Sequence, residues 1–142
     1  LVLTVMLVCS GLGAMVAGQL ARPGLALKWA VLIAALSCVV TIFVAHQAIL
    51  AVLDWPWAMR AALLVLAIAP ASLALGFPFP LGLDRFQQEG PALLPWAWAL
   101  NGAFSVVATP LANLAGHGLG LTALLLGGLA CYLSTVIVWP RN

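Results

Sequence analysis

Charged residues are scarce in this chain. Of its 142 residues only 6% are charged, five of them Lys or Arg and three Asp or Glu, whereas 65% are hydrophobic. A soluble domain carries about 25% charged residues, and a surface as apolar as this one is not tolerated in water. The composition therefore excludes an ordinary soluble domain, and so few cations exclude a nucleic-acid-binding surface. We expect the chain's main partner to be the lipid bilayer.

The chain also lacks the residue clusters that enzymes and metal sites need. Its three cysteines, Cys9, Cys38 and Cys131, lie far apart in apolar runs, without a second Cys or a His at ligand spacing. We interpret them as small buried apolar side chains. No Ser-His pair, paired Asp or metal cluster can be assembled at credible spacing. We therefore predict no catalytic residue, no cofactor site and no metal site in this segment.

What the chain does have is five long hydrophobic stretches. About 20 apolar residues in a helix cross the hydrocarbon core of a bilayer, where a helix keeps every backbone polar group hydrogen-bonded. We therefore predict an all-α fold, a single polytopic transmembrane helix bundle with spans at about residues 1–21, 28–53, 58–79, 96–115 and 119–139. Because the sequence starts with Leu1 inside an apolar run, we expect it to be a fragment of a longer chain.

The tryptophans support these boundaries, because the indole ring has an apolar body and a polar N–H and concentrates at membrane-water interfaces. All six lie at predicted span ends: Trp29, Trp55, Trp57, Trp96, Trp98 and Trp139.

Basic residues predict the orientation, since Lys and Arg in short loops are retained in the cytoplasm. Arg22, Lys28, Arg85 and Arg141 fall on one side of the predicted membrane, and Arg60 falls on the other. The asymmetry predicts a multi-pass protein with a cytoplasmic C-terminus. The longest loop, residues 80–95, is then expected to lie along the cytoplasmic interface.

The first span carries small residues at helical spacing. Ser10, Ala14 and Gly18 repeat every four residues, with Gly13 and Ala17 on a neighbouring stripe. Because helices in lipid associate through small residues that permit close backbone approach, the pattern predicts a tight contact within the bundle or between subunits. A helix-helix oligomer is therefore one expected state.

Polar residues inside the spans are the candidate functional residues, because they are costly in lipid unless they meet a partner or a cavity. Four of them repeat at four-residue spacing along one face of the fourth span, and two are adjacent in the second span: Asn101, Ser105, Thr109 and Asn113, and His46 and Gln47. The face on the fourth span could line a solute path or form hydrogen bonds between helices. His46 could titrate in a proton relay, although no Asp or Glu lies in any predicted span.

Four prolines are expected to interrupt helices. Pro110 should kink the fourth span beside its polar face, and Pro70 lies inside the third. Pro78 and Pro80 stand at alternate positions, which predicts an extended, non-helical exit from the third span.

Two segments resemble a known family. They are Gly76-Phe77-Pro78-Phe79-Pro80-Leu81-Gly82-Leu83 and Pro95-Trp96-Ala97-Trp98-Ala99-Leu100-Asn101-Gly102-Ala103-Phe104-Ser105-Val106. The small-residue patch Ser10-Gly11-Leu12-Gly13 in the first span is a third similarity. They are similar to the membrane region of bacterial spermidine-synthase-like proteins, in which several spans are joined to an aminopropyltransferase-like domain.

The resemblance implies an inner-membrane module that anchors or assists a cytoplasmic aminopropyltransferase-like domain. Such an enzyme needs a Gly-rich turn after a strand and acidic residues for its amine substrate, which this chain lacks. The enzyme domain would then lie outside this segment or be absent. The alternative is a fragment of a small-solute transporter, with the polar face of the fourth span on the solute path.

Overall fold

The computed structural model describes residues 1–20 and 22–139, without the side chains of residues 45, 46, 48, 49 and 89. Helices account for 89% of the described residues, which include no strand. The elements are α1 (Val2–Ala17), α2 (Pro23–Ala51), α3 (Trp57–Leu75), α4 (Pro78–Glu89), a 3-10 turn (Pro91–Leu93), α5 (Leu94–Gly118) and α6 (Gly120–Val138). The predicted all-α fold is therefore confirmed.

Four stretches of helix within the described residues are long and apolar enough to cross a membrane: Pro23–Val44, Trp57–Gln88, Pro91–Gly118 and Gly120–Val138. The first helix is shorter than the predicted span over residues 1–21, since α1 has 16 residues and measures about 24 Å at 1.5 Å per residue. After α1 the N–H of Gln19 donates a hydrogen bond of 3.0 Å to the Val16 carbonyl. Pro23 then begins α2, and its ring prevents one continuous helix.

The helices are not packed in the order of the sequence. The most extensive contacts join α1 to α3, α3 to α2, α2 to α6 and α6 to α5. These contacts give the spatial order α1, α3, α2, α6, α5, so that α1 and α5 lie at the two edges. The arrangement is a row of helices, and α4 touches several of them near one end.

The buried side chains gather where α4 lies. Ala17 of α1, Leu27 and Val31 of α2, and Leu81 of α4 form the core cluster, and each is at most 3% exposed. Partly buried side chains from α2, α6 and the α3–α4 junction pack against it: Ala26, Phe77, Tyr132, Val136 and Trp139. We call this end of the bundle, which also carries Arg22, Lys28 and Arg85, the basic end.

Helices α1 and α3 approach so closely that their backbone atoms are in contact. A Cβ added to Gly13 would overlap the carbonyl oxygen of Leu73, and one added to Gly76 would overlap that of Ser10 and lie 2.9 Å from the Ala14 nitrogen. Gly13 and Ala17 are buried, which confirms that the small residues of the first span make a tight helix contact within the bundle. Gly18 takes no part, because nothing lies within 4 Å of its Cβ position.

The extended exit predicted at Pro78 and Pro80 was wrong. Helix α3 ends at Leu75, and Pro78 is the first residue of α4. Proline is well accommodated in the first turn of a helix, where its missing N–H would have no intrahelical partner. The loop predicted over residues 80–95 is accordingly built mainly from α4 and the 3-10 turn. Pro70 and Pro110 lie inside α3 and α5, which continue past them.

Candidate functional site

The polar face predicted on the fourth span lies on α5. Asn101, Ser105, Thr109 and Asn113 are all exposed, as is every residue from 98 to 111. Partly buried positions occur only towards the two ends of the helix, where α5 meets α4 and α6. The polar face of α5 is therefore not covered by any described helix of this chain.

The two hydroxyl groups on this face are satisfied by their own helix. Ser105 donates a hydrogen bond of 2.7 Å to the Asn101 carbonyl, and Thr109 donates one of 3.0 Å to the Ser105 carbonyl. Bonds of this kind to the preceding turn are a common solution for Ser and Thr in helices. Thr41 and Ser72 do the same in α2 and α3. These hydroxyls therefore need no partner helix.

The two asparagines differ from the hydroxyl residues. Neither the Asn101 nor the Asn113 side-chain amide hydrogen-bonds to any described residue. They are 12 positions apart on one face, or about 18 Å along the axis. An amide has two donor hydrogens and an acceptor oxygen, and leaving these unpaired in hydrocarbon costs free energy. Any need for a partner on this face therefore comes from the two amides.

The other predicted polar pair is not brought to this face. Gln47 is exposed on α2, and the side chain of His46 lies outside the described residues. Helix α2 and helix α5 are separated by α6 in the order of the row. The described residues of α2 and α5 therefore do not form one common polar surface.

Aromatic contacts that the sequence did not predict attach α4 to its neighbours. Phe79 of α4 meets Trp98 of α5 edge-to-face, with ring centroids 5.1 Å apart and planes at 83°. The guanidinium carbon of Arg85 lies 5.6 Å from the centroid of the Trp139 ring at the end of α6, within the range of a cation–π interaction. Both contacts lie at the basic end, where they attach α4 to α5 and to the end of α6.

Tyr132 is a further residue that sequence reasoning missed. Its hydroxyl donates a hydrogen bond of 3.4 Å to the Leu75 carbonyl at the end of α3. The last carbonyls of a helix have no intrahelical donor, so this bond satisfies one of them and links α6 to α3. The sequence feature that could have drawn attention to Tyr132 is that it is the chain's single tyrosine and lies inside a predicted span.

The two segments that carry the family resemblance meet in the structure. The first forms the α3–α4 junction and the first half of α4, and the second forms the first half of α5. The Phe79–Trp98 contact joins them directly. These residues, separated in sequence, thus form one surface at the basic end.

Comparisons of the chain with protein-family models, curated proteins and solved structures find no match. The resemblance to spermidine-synthase-like membrane regions therefore rests on the sequence motifs alone. Among the described residues, no three His, Cys, Asp or Glu side chains come together as a metal site would require.

Proposed function

We propose that this chain is a non-catalytic integral membrane module of a spermidine-synthase-like protein, which anchors or assists a cytoplasmic aminopropyltransferase-like domain. The observation that carries the proposal is the meeting of the two family-like segments at the basic end through Phe79 and Trp98. That is the end where the buried core lies. A rigid, packed end suits the attachment of a second domain, whereas the middle of α5 is exposed on all sides.

The surface offered to that domain is the second half of α4. Its first half buries Leu81 in the core, and its later residues Asp84, Gln87 and Gln88 are exposed. Arg22, Lys28 and Arg85 share this end, and basic loops tend to stay in the cytoplasm, so we expect it to face the cytoplasmic side of the inner membrane. The polar end of α4 would then point at the compartment in which an aminopropyltransferase-like domain resides.

Site-specific photo-crosslinking tests this proposal. A photo-reactive amino acid in place of Gln87 on α4 is expected to crosslink, in cells, to peptides of an aminopropyltransferase-like domain. The same group in place of Met59, which is 52% exposed in the first turn of α3 at the other end of the bundle, serves as the matched control. Crosslinks to such a domain from Met59 alone, or from neither position, would contradict the proposal.

The sidedness is tested separately by cysteine labelling. With the three native cysteines replaced by alanine, a cysteine at Gln88 should react with a membrane-impermeant maleimide only after the cells are opened. A cysteine at Asp54, in the turn between α2 and α3, should react in intact cells. The reverse pattern would place the basic end outside.

A small-solute transporter fragment is the second candidate function, and the polar face of α5 favours it. Two unpaired amides on a helix that contains Pro110 suit a path lined by interrupted helices, provided that helices from beyond this chain cover the face. Replacing Asn101 and Asn113 with Leu should then abolish uptake of labelled small solutes, with spermidine the first to be assayed. In a membrane module without transport, the same change should alter stability or assembly only.

A further inference from the structure

A groove runs along the outer surface of the bundle between α2 and α6. It has a volume of about 380 Å³ and is lined by Val31, Leu32 and Ala35 of α2, by Leu133, Val136 and Ile137 of α6, and by Lys28. Its aliphatic walls follow α2 for about 10 Å from Lys28 to Ala35. Apart from Lys28 the lining residues have no polar side chain that could hold water, so the walls suit an acyl chain.

One end of the groove is positively charged. Lys28 is the only charged residue among those that line it, and it stands where α2 approaches the basic end. Trp139 lies one turn beyond Val136, and its indole Nε1 is 3.2 Å from the position that a Cβ on Gly24 would take, one turn before Lys28. The guanidinium of Arg85 lies over the same indole ring. Lys28 therefore supplies the charge at this end of the groove, and the Arg85–Trp139 pair packs against α2 one turn before it.

We propose that the groove between α2 and α6 binds an anionic phospholipid, with an acyl chain along its aliphatic walls and the phosphate beside Lys28. Basic pockets between helices on the cytoplasmic face are suited to acidic headgroups, and Trp139 stands at the level where headgroups lie. Charge complementarity selects the lipid. A choline headgroup would bring its own cation towards Lys28 and Arg85, whereas a phosphatidylglycerol headgroup has none.

A second copy of this chain is a poorer occupant of the groove. An apolar helix laid into it would cover Lys28 and remove its ammonium from water without supplying an anion, which is costly at membrane depth. Helices α1, α2, α3, α5 and α6 contain no Asp or Glu that a second copy could bring to it. The phosphate of a lipid headgroup supplies the negative charge that the Lys28 ammonium needs beside it.

Native mass spectrometry of the purified protein tests the proposal. The protein in detergent is mixed with equal amounts of phosphatidylglycerol and phosphatidylcholine that carry identical acyl chains, and the bound lipid is counted. The unmodified protein should retain phosphatidylglycerol preferentially. Lys28→Gln should lower that retention about fivefold, the factor expected for one basic residue at a membrane surface, and Lys28→Arg should keep it. Inorganic phosphate added in excess should not displace the lipid, because the acyl chain contributes to binding.

Two further variants separate the groove from charge in general. Arg60→Gln removes a cation from the first turn of α3, at the other end of the bundle, and should leave lipid retention unchanged. Ile137→Trp narrows the groove from its rim, where Ile137 is 81% exposed, and should lower retention of both lipids while the far-ultraviolet circular dichroism stays the same. Equal retention of the two lipids by the unmodified protein would overturn the proposal. So would an equal loss in Lys28→Gln and Arg60→Gln, or displacement of the lipid by phosphate.

Discussion

Replacing Gly13 with alanine should destabilise the contact between α1 and α3. The added methyl group would overlap the Leu73 carbonyl oxygen and lie 3.0 Å from the Leu73 carbonyl carbon. These are backbone atoms, so no side chain can turn aside. To restore a carbon-oxygen distance of about 3.3 Å, the two helices would have to separate by about 1 Å along much of their contact. We expect a loss of about 1–3 kcal/mol in the free energy of unfolding, as for other overpacked interiors.

The matched controls lie in the same helix. Nothing is within 4 Å of the Cβ positions of Gly11 and Gly18, so Gly11→Ala and Gly18→Ala add a methyl group without a clash. Alanine is also favoured over glycine inside a helix by up to about 1 kcal/mol. Gly11→Ala should therefore be neutral or slightly stabilising. The same Gly→Ala substitution is therefore expected to lower the free energy of unfolding at position 13 and to leave it unchanged or raise it slightly at position 11.

The assay is unfolding of the purified protein in mixed micelles as the fraction of dodecyl sulfate rises, followed by circular dichroism. Gly13→Ala should unfold at a lower fraction than the unmodified protein, and Gly11→Ala at the same or a higher one. Gly76→Ala disturbs the same contact from the α3 side, so its effect should not add fully to that of Gly13→Ala. If Gly13→Ala and Gly11→Ala unfold together, the close packing of α1 on α3 is refuted.

The same unfolding assay checks three other expectations. Leu81→Ala removes a side chain that is 2% exposed and should cost about 2–5 kcal/mol; a loss below 1 kcal/mol would mean that α4 is not packed on the core. Ser105→Ala combined with Thr109→Ala should change stability by less than about 0.5 kcal/mol, since both hydroxyls bond to their own helix; a large loss would show that they bond to another helix. A double-mutant cycle with Phe79→Leu and Trp98→Leu should give a coupling energy of about 0.5–1.5 kcal/mol; a coupling energy near zero would show that the two rings do not hold α4 against α5.

The exposed middle of α5 has a consequence for assembly. Single apolar side chains facing lipid need no partner, because the lipid tails are as apolar as the protein interior. The amides of Asn101 and Asn113 are different, since lipid offers them no hydrogen bond. An oligomer or a covering helix on this face therefore remains a prediction, with these two side chains as its energetic cause.

Length and composition alone determined the spanning helices. The apolar runs over residues 28–53, 58–79, 96–115 and 119–139 correspond to α2, α3, α5 and α6 with ends shifted by a few residues, because a run of about 20 apolar residues satisfies all its backbone hydrogen bonds in a bilayer as a helix. The small-residue pattern of the first span likewise predicted a close helix contact. Gly13 could be recognised as a point of close approach because it has no side chain to hold helices apart.

Which helices are neighbours, and which face each one turns inward, was decided only by the tertiary structure. In a soluble protein the apolar face marks the inside, but in lipid both faces are apolar and the sequence period carries little information. The pairing of α1 with α3, the outward polar face of α5 and the aromatic contacts of Phe79 and Trp139 depend on side-chain fit between distant segments. Pro78 was compatible with an extended exit or a helix start, and packing of Leu81 into the core selected the helix.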